Sequence, residues 1–123
     1  MKTPAYLQKG DNVAIVCTAR SYSRDEAQEA VALFESWGLN IIFGSTIDIN
    51  ANQLGGTDAQ RTDDLQKMMD DDTIKAIWIA RGGYGTVRII DQLDFSKFIK
   101  NPKWIIGFSD ITVLHSHIHN LGI

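Results

Sequence analysis

The chain has 123 residues, of which 44% are hydrophobic and 22% are charged, so its composition is that of one globular domain large enough to bury a core. Its net charge of −3, without any Lys- or Arg-rich run, argues against nucleic acid or an anionic membrane as a partner. The single cysteine, Cys17, excludes an internal disulfide and is typical of a reducing compartment. Because the first residues also lack an apolar signal core, we expect a cytoplasmic protein.

The first half of the chain alternates apolar runs with amphipathic segments. NVAIVCTA, residues 12–19, is a continuous apolar run and predicts a strand covered on both faces. RDEAQEAVALFESW, residues 24–37, has apolar side chains at helical intervals, and Ser23 with Glu26 has the spacing of a capping box at its start. NIIFG, residues 40–44, predicts a short second strand.

The second half continues this alternation. Thr57 and Gln60 form a second capping-box pattern, ahead of a helix that carries Leu65 and two methionines. Three further segments follow, a buried strand at 74–80, a short helix at 85–94 and a strand at 104–108, before a last helix at 110–121. Four strands alternating with four helices indicate an α/β fold, a parallel sheet with helices on both faces in a flavodoxin-like or Rossmann-like three-layer sandwich.

A glycine-rich segment, ARGGYGTVR, follows the third predicted strand and occupies residues 80–88. Glycines at these positions allow positive φ angles and let backbone N–H groups face a ligand. A phosphate cradle and an oxyanion hole both fit this pattern, although neither G-x-G-x-x-G nor a P-loop is present. A tight strand-to-helix turn without a functional role fits equally well.

A single serine stands between the last predicted strand and the last predicted helix. Gly107-Phe108-Ser109 reproduces the first half of the nucleophile-elbow pattern, with Ile111 where that pattern has its second glycine. As a nucleophile, Ser109 would lie beside the N–H of Asp110, where a helix N-terminus stabilises a developing oxyanion. The alternative is that Ser109 caps the helix.

No base for Ser109 is evident in the sequence. The three histidines, His115, His117 and His119, all belong to the helix that Ser109 begins, and His115 would lie roughly 9 Å along its axis. Lys103 precedes Ser109 by a strand, about 20 Å away. His115 and His119 are four residues apart, but no third ligand accompanies them, so we predict no metal site.

Several other side chains invite a structural interpretation. The thiol of Cys17 and the three tryptophans, Trp37, Trp78 and Trp104, are expected in the core. Arg61 and Arg88 lie near the edge where the strands end, and they fit two roles equally well: helix-surface charges, or ligands of a substrate carboxylate.

Three segments carry a family resemblance: GGTDAQRTDDLQ at 55–66, ARGGYGTVRIIDQLD at 80–94 and KWIIGFSDITVLH at 103–115. Together, and in this order, they resemble the amino-terminal half of the LD-carboxypeptidases, the serine peptidases that include murein tetrapeptide carboxypeptidase and the microcin C self-immunity protein. The resemblance runs over nearly the whole chain, except that the segment after the first strand reads CTARSYS where the family often has a Pro-Ala-rich turn.

The resemblance implies a Ser-His-Glu triad with Ser109 as its nucleophile. It implies an oxyanion hole formed by the N–H groups of Asp110 and Gly83, and a substrate cleft lined by Gly82 and Tyr84. In the family, the Glu and His come from a carboxy-terminal domain that this sequence does not contain. That domain and a murein peptide are the implied partners, no cofactor is implied, and a homodimer of the whole enzyme is one alternative for its assembly.

The implied activity is removal of the terminal D-alanine from murein tetrapeptides during peptidoglycan recycling, with residues 1–123 as the nucleophile-bearing domain. A microcin C-type self-immunity peptidase is one alternative, although that branch typically has Asn at the position of Gly85. A non-catalytic, flavodoxin-like module that binds an anion or a nucleotide is another. We expect the 123 residues alone to be inactive.

Overall fold

A computed structural model describes residues 1–123 as a four-stranded parallel sheet with helices packed against it. The strands are β1 Asn12–Val16, β2 Asn40–Phe43, β3 Ile74–Ile79 and β4 Trp104–Ile106. The helices are α1 Arg24–Ser36, α2 Asp58–Asp70, α3 Thr86–Ile89, α4 Ser96–Lys100 and α5 Thr112–Asn120. The strand order β2-β1-β3-β4 equals the first four positions of the flavodoxin-like order. The predicted α/β fold is therefore confirmed.

The central strand β1 shows why the sheet has three layers. Its side chains alternate between the two faces, and Val13 to Cys17 are all fully buried. Ala14 and Val16 belong to the larger core, under the face that carries α2 to α5. Val13 and Ile15 belong to two smaller clusters under α1 and the amino-terminal segment. A strand buried on both faces needs an unbroken apolar run, which is what the sequence has.

The two capping boxes predicted at α1 and α2 are both present. The Ser23 hydroxyl accepts a hydrogen bond from the N–H of Glu26, whose carboxylate accepts one from the N–H of Ser23. Thr57 and Gln60 repeat this reciprocal arrangement at α2. Both helices therefore begin where short-range sequence signals place them.

The predicted elements after β3 need correction. The helix predicted over 85–94 ends at Ile89 and continues as a 3₁₀ turn, Ile90–Gln92. Helix α4 was not predicted from the sequence, because its five residues are too few to show a helical period. It is stabilised by Phe98, which is fully buried, and by Asp94, whose carboxylate accepts a hydrogen bond from the N–H of Ser96.

The prediction that all three tryptophans lie in the core is wrong for Trp37. Its side chain is 55% exposed, because Trp37 follows the last turn of α1, where its ring packs edge-on against Phe34. Trp78 and Trp104 are partly buried and pack against the α1 face of the sheet.

Candidate functional site

The carboxyl ends of β1, β3 and β4 meet at one edge of the sheet. The chain leaves β1 towards β2 on one side and returns to β3 on the other, so the crevice between β1 and β3 is a topological switch point, where open α/β sheets bind ligands. The segments at this edge are residues 18–23 after β1, the glycine loop 81–85 after β3, and residues 107–110 after β4.

Ser109 has a strained backbone at this edge. Its φ angle is +64°, in the left-handed region that costs a non-glycine residue about 1–2 kcal/mol. Phe108 before it is extended, and a 3₁₀ turn, Ser109–Ile111, follows before α5 begins. The side chain of Ser109 is exposed. The sharp, strained turn that the elbow pattern predicts is confirmed.

Ser109 does not cap a helix. Neither the 3₁₀ turn nor α5 has a side-chain capping hydrogen bond at its start, and the residue at the N-cap position of α5 is Ile111. This contrasts with the interpretation of Ser109 as an ordinary N-cap, since the hydroxyl stabilises no N–H group of the helix. Helix capping therefore does not explain why a serine stands at this position.

Packing between Gly107 and Ile111 explains why only half of the elbow motif is present. A Cβ on Gly107 would lie 2.9 Å from Cγ1 of Ile111, so glycine is required at that position. Ile111 is 1% exposed and takes the place of the second glycine of the pattern. The turn is thus close-packed from below by an isoleucine side chain, while Ser109 stays on the outside.

The glycine loop lies directly beside Ser109. A Cβ on Gly82 would lie 3.5 Å from Cβ of Ser109 and 3.4 Å from the backbone nitrogen of Asp110. Gly85 has φ +144°, and a Cβ there would approach the backbone of Thr18 and Ala19 to about 3 Å. The loop therefore needs glycine at position 85 to contact the β1 segment, and at position 82 it lies in van der Waals range of the serine.

The carboxylate of Asp110 ties the loop to the turn. Its Oδ2 accepts a hydrogen bond of 3.1 Å from the N–H of Thr86, the first residue of α3. The Thr86 hydroxyl in turn shares a buried hydrogen bond of 2.7 Å with the hydroxyl of Thr18. This role of the Asp110 carboxylate was not predicted from the sequence, where only the N–H of Asp110 was a candidate. The sequence signal for it is an acidic residue next to the serine, together with a helix α3 whose N-cap, Gly85, has no side chain to cap it.

The interpretation of Arg61 as a helix-surface charge is wrong. Its side chain is fully buried and donates hydrogen bonds to the carbonyls of Thr18 and Gly56, while Nη2 pairs with Asp58 at 2.8 Å. It therefore joins the segments after β1 and β2. With the carbonyl of Gly85 at 3.5 Å as a fourth acceptor, this buried guanidinium is not available to a substrate.

Arg88 is exposed but is also engaged. Its Nε and Nη2 donate to the two carboxylate oxygens of Asp58, at 2.9 and 2.8 Å. The pKa of Asp58 is lowered, and its hydrogen bonds with Arg88 are the largest cause. The structure thus shows both predicted carboxylate ligands, Arg61 and Arg88, already bound to the same aspartate. Tyr84 lies 52% exposed in the glycine loop.

None of the three histidines makes a hydrogen bond to Ser109. His115 Nε2 pairs with the carbonyl of Ile105 at 3.1 Å, and the ring of His117 packs on Phe95. Lys103 lies at the opposite end of β4, where its ammonium donates to the carbonyls of Asp71 and Ile74, and burial lowers its pKa.

The chain contains neither a metal-binding cluster nor a membrane-spanning helix. No group of three or more His, Cys, Asp or Glu side chains is placed to hold a metal ion. None of the helices combines the length and the apolar character needed to cross a membrane.

Comparison with known proteins identifies relatives along the whole chain. The family model of the LD-carboxypeptidase N-terminal domain matches residues 13–123. The probable murein peptide carboxypeptidase of Bacillus subtilis (strain 168) is 39% identical over 121 residues, which are 98% of this chain and 38% of that protein. The murein tetrapeptide carboxypeptidase of Pseudomonas aeruginosa is 33% identical over 112 residues, 90% of this chain and 36% of that protein.

Solved structures have the same fold. The microcin C7 self immunity protein superposes with a TM-score of 0.84 at 24% identity, over 90% of this chain and 34% of its own. The muramoyltetrapeptide carboxypeptidase from Oxalobacter formigenes gives a TM-score of 0.74 at 26% identity, over 84% and 34%. The chain thus spans about a third of the length of these relatives. It belongs to the LD-carboxypeptidase family, and residues 13–123 correspond to that family's N-terminal domain.

Proposed function

We propose that Ser109 is the nucleophile of a serine LD-carboxypeptidase that removes the terminal D-alanine from murein tetrapeptides, in the cytoplasm and as a step of peptidoglycan recycling. One observation carries the proposal: Ser109 has a left-handed backbone and an exposed side chain, although it caps no helix. Strain of this kind persists where the surrounding structure imposes it, and it is concentrated at functional sites. The relatives named above support the substrate class.

In the proposed reaction, the Ser109 oxygen attacks the carbonyl carbon of the last peptide bond. The N–H groups of Asp110 and Gly83 donate to the oxyanion that forms; loss of one such donor lowers kcat by about 10²–10³-fold in other enzymes. The serine proton passes to a base and then to the amine of the departing D-alanine. Water then hydrolyses the acyl ester and regenerates the hydroxyl.

The base is proposed to lie outside these 123 residues. The three histidines of the chain belong to α5, and no hydrogen bond joins any of them to Ser109. We infer that a His and a Glu from a carboxy-terminal domain complete the triad in a longer polypeptide, as the family resemblance implies. The Asp110 carboxylate is directed to the N–H of Thr86, and no hydrogen bond joins it to the Ser109 hydroxyl.

The glycine loop is proposed to form one wall of the substrate cleft. Gly82 lies next to Ser109, and Tyr84 of the same loop has an exposed side chain. Murein peptides are the favoured substrates because relatives at 33% and 39% identity are named for them, whereas the likeness to the microcin C7 self immunity protein is at 24% identity and concerns the fold.

The test is a D-alanine release assay on a murein tetrapeptide with three samples: this chain, a full-length protein that contains it, and the full-length Ser109→Ala variant. We expect turnover by the full-length protein only. Removal of the nucleophile should lower kcat by about 10⁴-fold or more. Wild-type rates in the Ser109→Ala protein would refute the assignment of the nucleophile.

Two further outcomes are informative. Turnover by the 123 residues alone would show that a base lies within them. Hydrolysis of aspartyl sulfamoyl adenosine, a ligand of the microcin C7 self immunity protein, in place of the tetrapeptide would move the enzyme to the self-immunity branch.

A further inference from the structure

The side chain of Arg20 lies against the glycine loop. A Cβ on Gly83 would lie 2.6–2.8 Å from Cδ, Cγ and Nε of Arg20, so the arginine side chain crosses the face of Gly83 that a methyl group would otherwise occupy. Arg20 is exposed and comes from the segment after β1, on the opposite side of the switch-point crevice from the glycine loop. Its positive charge is therefore next to the proposed oxyanion donor.

Arg20 is unusual among the arginines of this protein because it has no acidic partner. The other four form ion pairs within 4 Å: Arg24 with Asp48, Arg61 and Arg88 with Asp58, and Arg81 with Glu26. A guanidinium has five N–H donors. In Arg20 only Nη1 has a protein acceptor, the side-chain carbonyl of Gln53 at 2.8 Å. The remaining donors are available to a ligand.

The backbone of Arg20 is held on both sides. Its N–H donates to the carbonyl of Gly82 at 3.3 Å, and the next residue, Ser21, donates to the carbonyl of Gln53 at 3.0 Å. Gln53 itself has φ +71° and follows Asn52, which has φ +53°. Asn52 adopts the left-handed region readily, but Gln53 is strained there, so the loop that orients the guanidinium is maintained at a cost in stability.

We propose that Arg20 binds the free carboxylate at the end of the substrate peptide. The inference rests on the proposed function, because that reaction places the scissile carbonyl oxygen at the N–H of Gly83. Only the amide nitrogen and one Cα separate the scissile carbon from the terminal carboxylate. A guanidinium lying along Gly83 is therefore within reach of that carboxylate, which it can bind with two parallel hydrogen bonds. Arg20 would thus restrict the enzyme to peptides with a free carboxyl end.

The experiment compares two ligands, a murein tetrapeptide with a free carboxyl end and the same peptide with a carboxyl-terminal amide. Calorimetric binding to the full-length protein in the Ser109→Ala background is measured with Arg20 intact and with Arg20→Gln. Charge-assisted hydrogen bonds of this type correspond to roughly 10- to 100-fold in affinity. We expect that loss for the acid only, and an unchanged Kd for the amide.

Arg24→Gln is the matched control because it removes an arginine of the same sheet edge that pairs with Asp48. It should leave the preference for the acid over the amide intact. Arg20→Lys keeps the charge but not the planar pair of donors, so it should restore part of the preference. The proposal would be overturned if the Arg20→Gln protein preferred the acid over the amide as strongly as the protein with Arg20 intact. It would also be overturned if the protein with Arg20 intact did not distinguish the two ligands.

Turnover separates this inference from the function on which it rests. An active wild-type enzyme whose KM for the acid is unchanged by Arg20→Gln would refute the role of Arg20 and leave the peptidase assignment in place. A wild-type protein that releases no D-alanine, yet binds the acid in an Arg20-dependent manner, would refute the peptidase assignment and support the carboxylate site.

Discussion

Helix starts in this protein are built in two ways. At α1 and α2, a hydroxyl and a residue three positions later satisfy each other's backbone N–H groups within four residues of chain. At α3 and at the turn before α5, no side chain caps the start locally. The N–H of Thr86 is satisfied instead by Asp110, 24 residues away. The locally capped starts carry no candidate chemistry, whereas the two starts that depend on distant residues form the candidate site.

The difference has a physical reason. A local cap uses up the hydroxyl that forms it, so Ser23 cannot serve as a nucleophile without uncapping its own helix. A turn held by remote contacts leaves its own serine free. Ser109 is held by the packing of Ile111 under Gly107 and by the hydrogen bond that the Asp110 carboxylate accepts from Thr86, the residue after the glycine loop. A capping hydroxyl therefore accepts a hydrogen bond from a backbone N–H of its own helix, as Ser23 does, whereas a candidate nucleophile such as Ser109 does not.

The largest expected effect comes from breaking the remote arrangement at Gly85. In Gly85→Ala the new methyl group would press on the backbone of Thr18 and Ala19 at a positive φ angle. We expect a loss of about 3 kcal/mol in the free energy of unfolding, from left-handed strain and overpacking together. Urea denaturation followed by circular dichroism measures it.

Gly10→Ala is the control for this prediction. Gly10 has φ +92°, but a Cβ there meets no atom within 4 Å, so the substitution introduces strain without a clash. We expect a loss of about 1 kcal/mol. Equal losses of unfolding free energy at the two glycines would mean that the contact with the β1 segment does not constrain position 85.

A smaller effect is expected from Asp110→Ala, which retains the backbone N–H but removes the acceptor for Thr86. Loss of this hydrogen bond should reduce the free energy of unfolding by about 1–2 kcal/mol. In a full-length protein, kcat should fall by about 10- to 100-fold while KM changes little, since the oxyanion donors would no longer be held in register. Asp110→Asn retains an acceptor oxygen and should recover much of the loss; equal defects in both variants would argue against a positioning role.

Ser23→Ala tests a local cap. We expect a loss of about 1 kcal/mol and no change in turnover by the full-length protein, because the hydroxyl acts only on α1. Cys17 offers a direct measurement: its side chain is fully buried, and burial raises the pKa of its thiol to about 12, so alkylation at neutral pH reports unfolding. A drop in kcat for Ser23→Ala would break the distinction between capping and reactive hydroxyls.

The smallest effect, of opposite sign, is expected from Ser109→Gly. Glycine adopts the φ angle of +64° without strain, which stabilises the folded state. The greater flexibility of glycine in the unfolded chain offsets part of this, so the free energy of unfolding should rise by about 0.5–1 kcal/mol. The same thiol-labelling measurement detects the gain. A loss of stability would show that the Ser109 side chain makes a stabilising contact and would weaken the argument from strain.

The sequence alone determined those parts of the protein whose stabilising contacts are local or periodic. The apolar run of β1, the capping boxes of α1 and α2 and the parallel α/β fold are confirmed by the structure, because each depends on burial along one strand or on hydrogen bonds within one turn. The strained turn at Ser109 could also be predicted, since Gly107-Phe108-Ser109 is a motif of short range.

Only the tertiary structure decided which charges are free. From the sequence, Arg61 and Arg88 were the candidates for binding a carboxylate, yet both pair with Asp58, and Arg61 is fully buried. Arg20, which no spacing rule singles out, is the arginine left without an acid. Ion pairing depends on which side chains the crossovers of the sheet bring within about 4 Å, and the paired residues are up to 55 positions apart in the chain, as in Arg81 and Glu26. That information lies in the packing of the sheet edge, so no local pattern contains it.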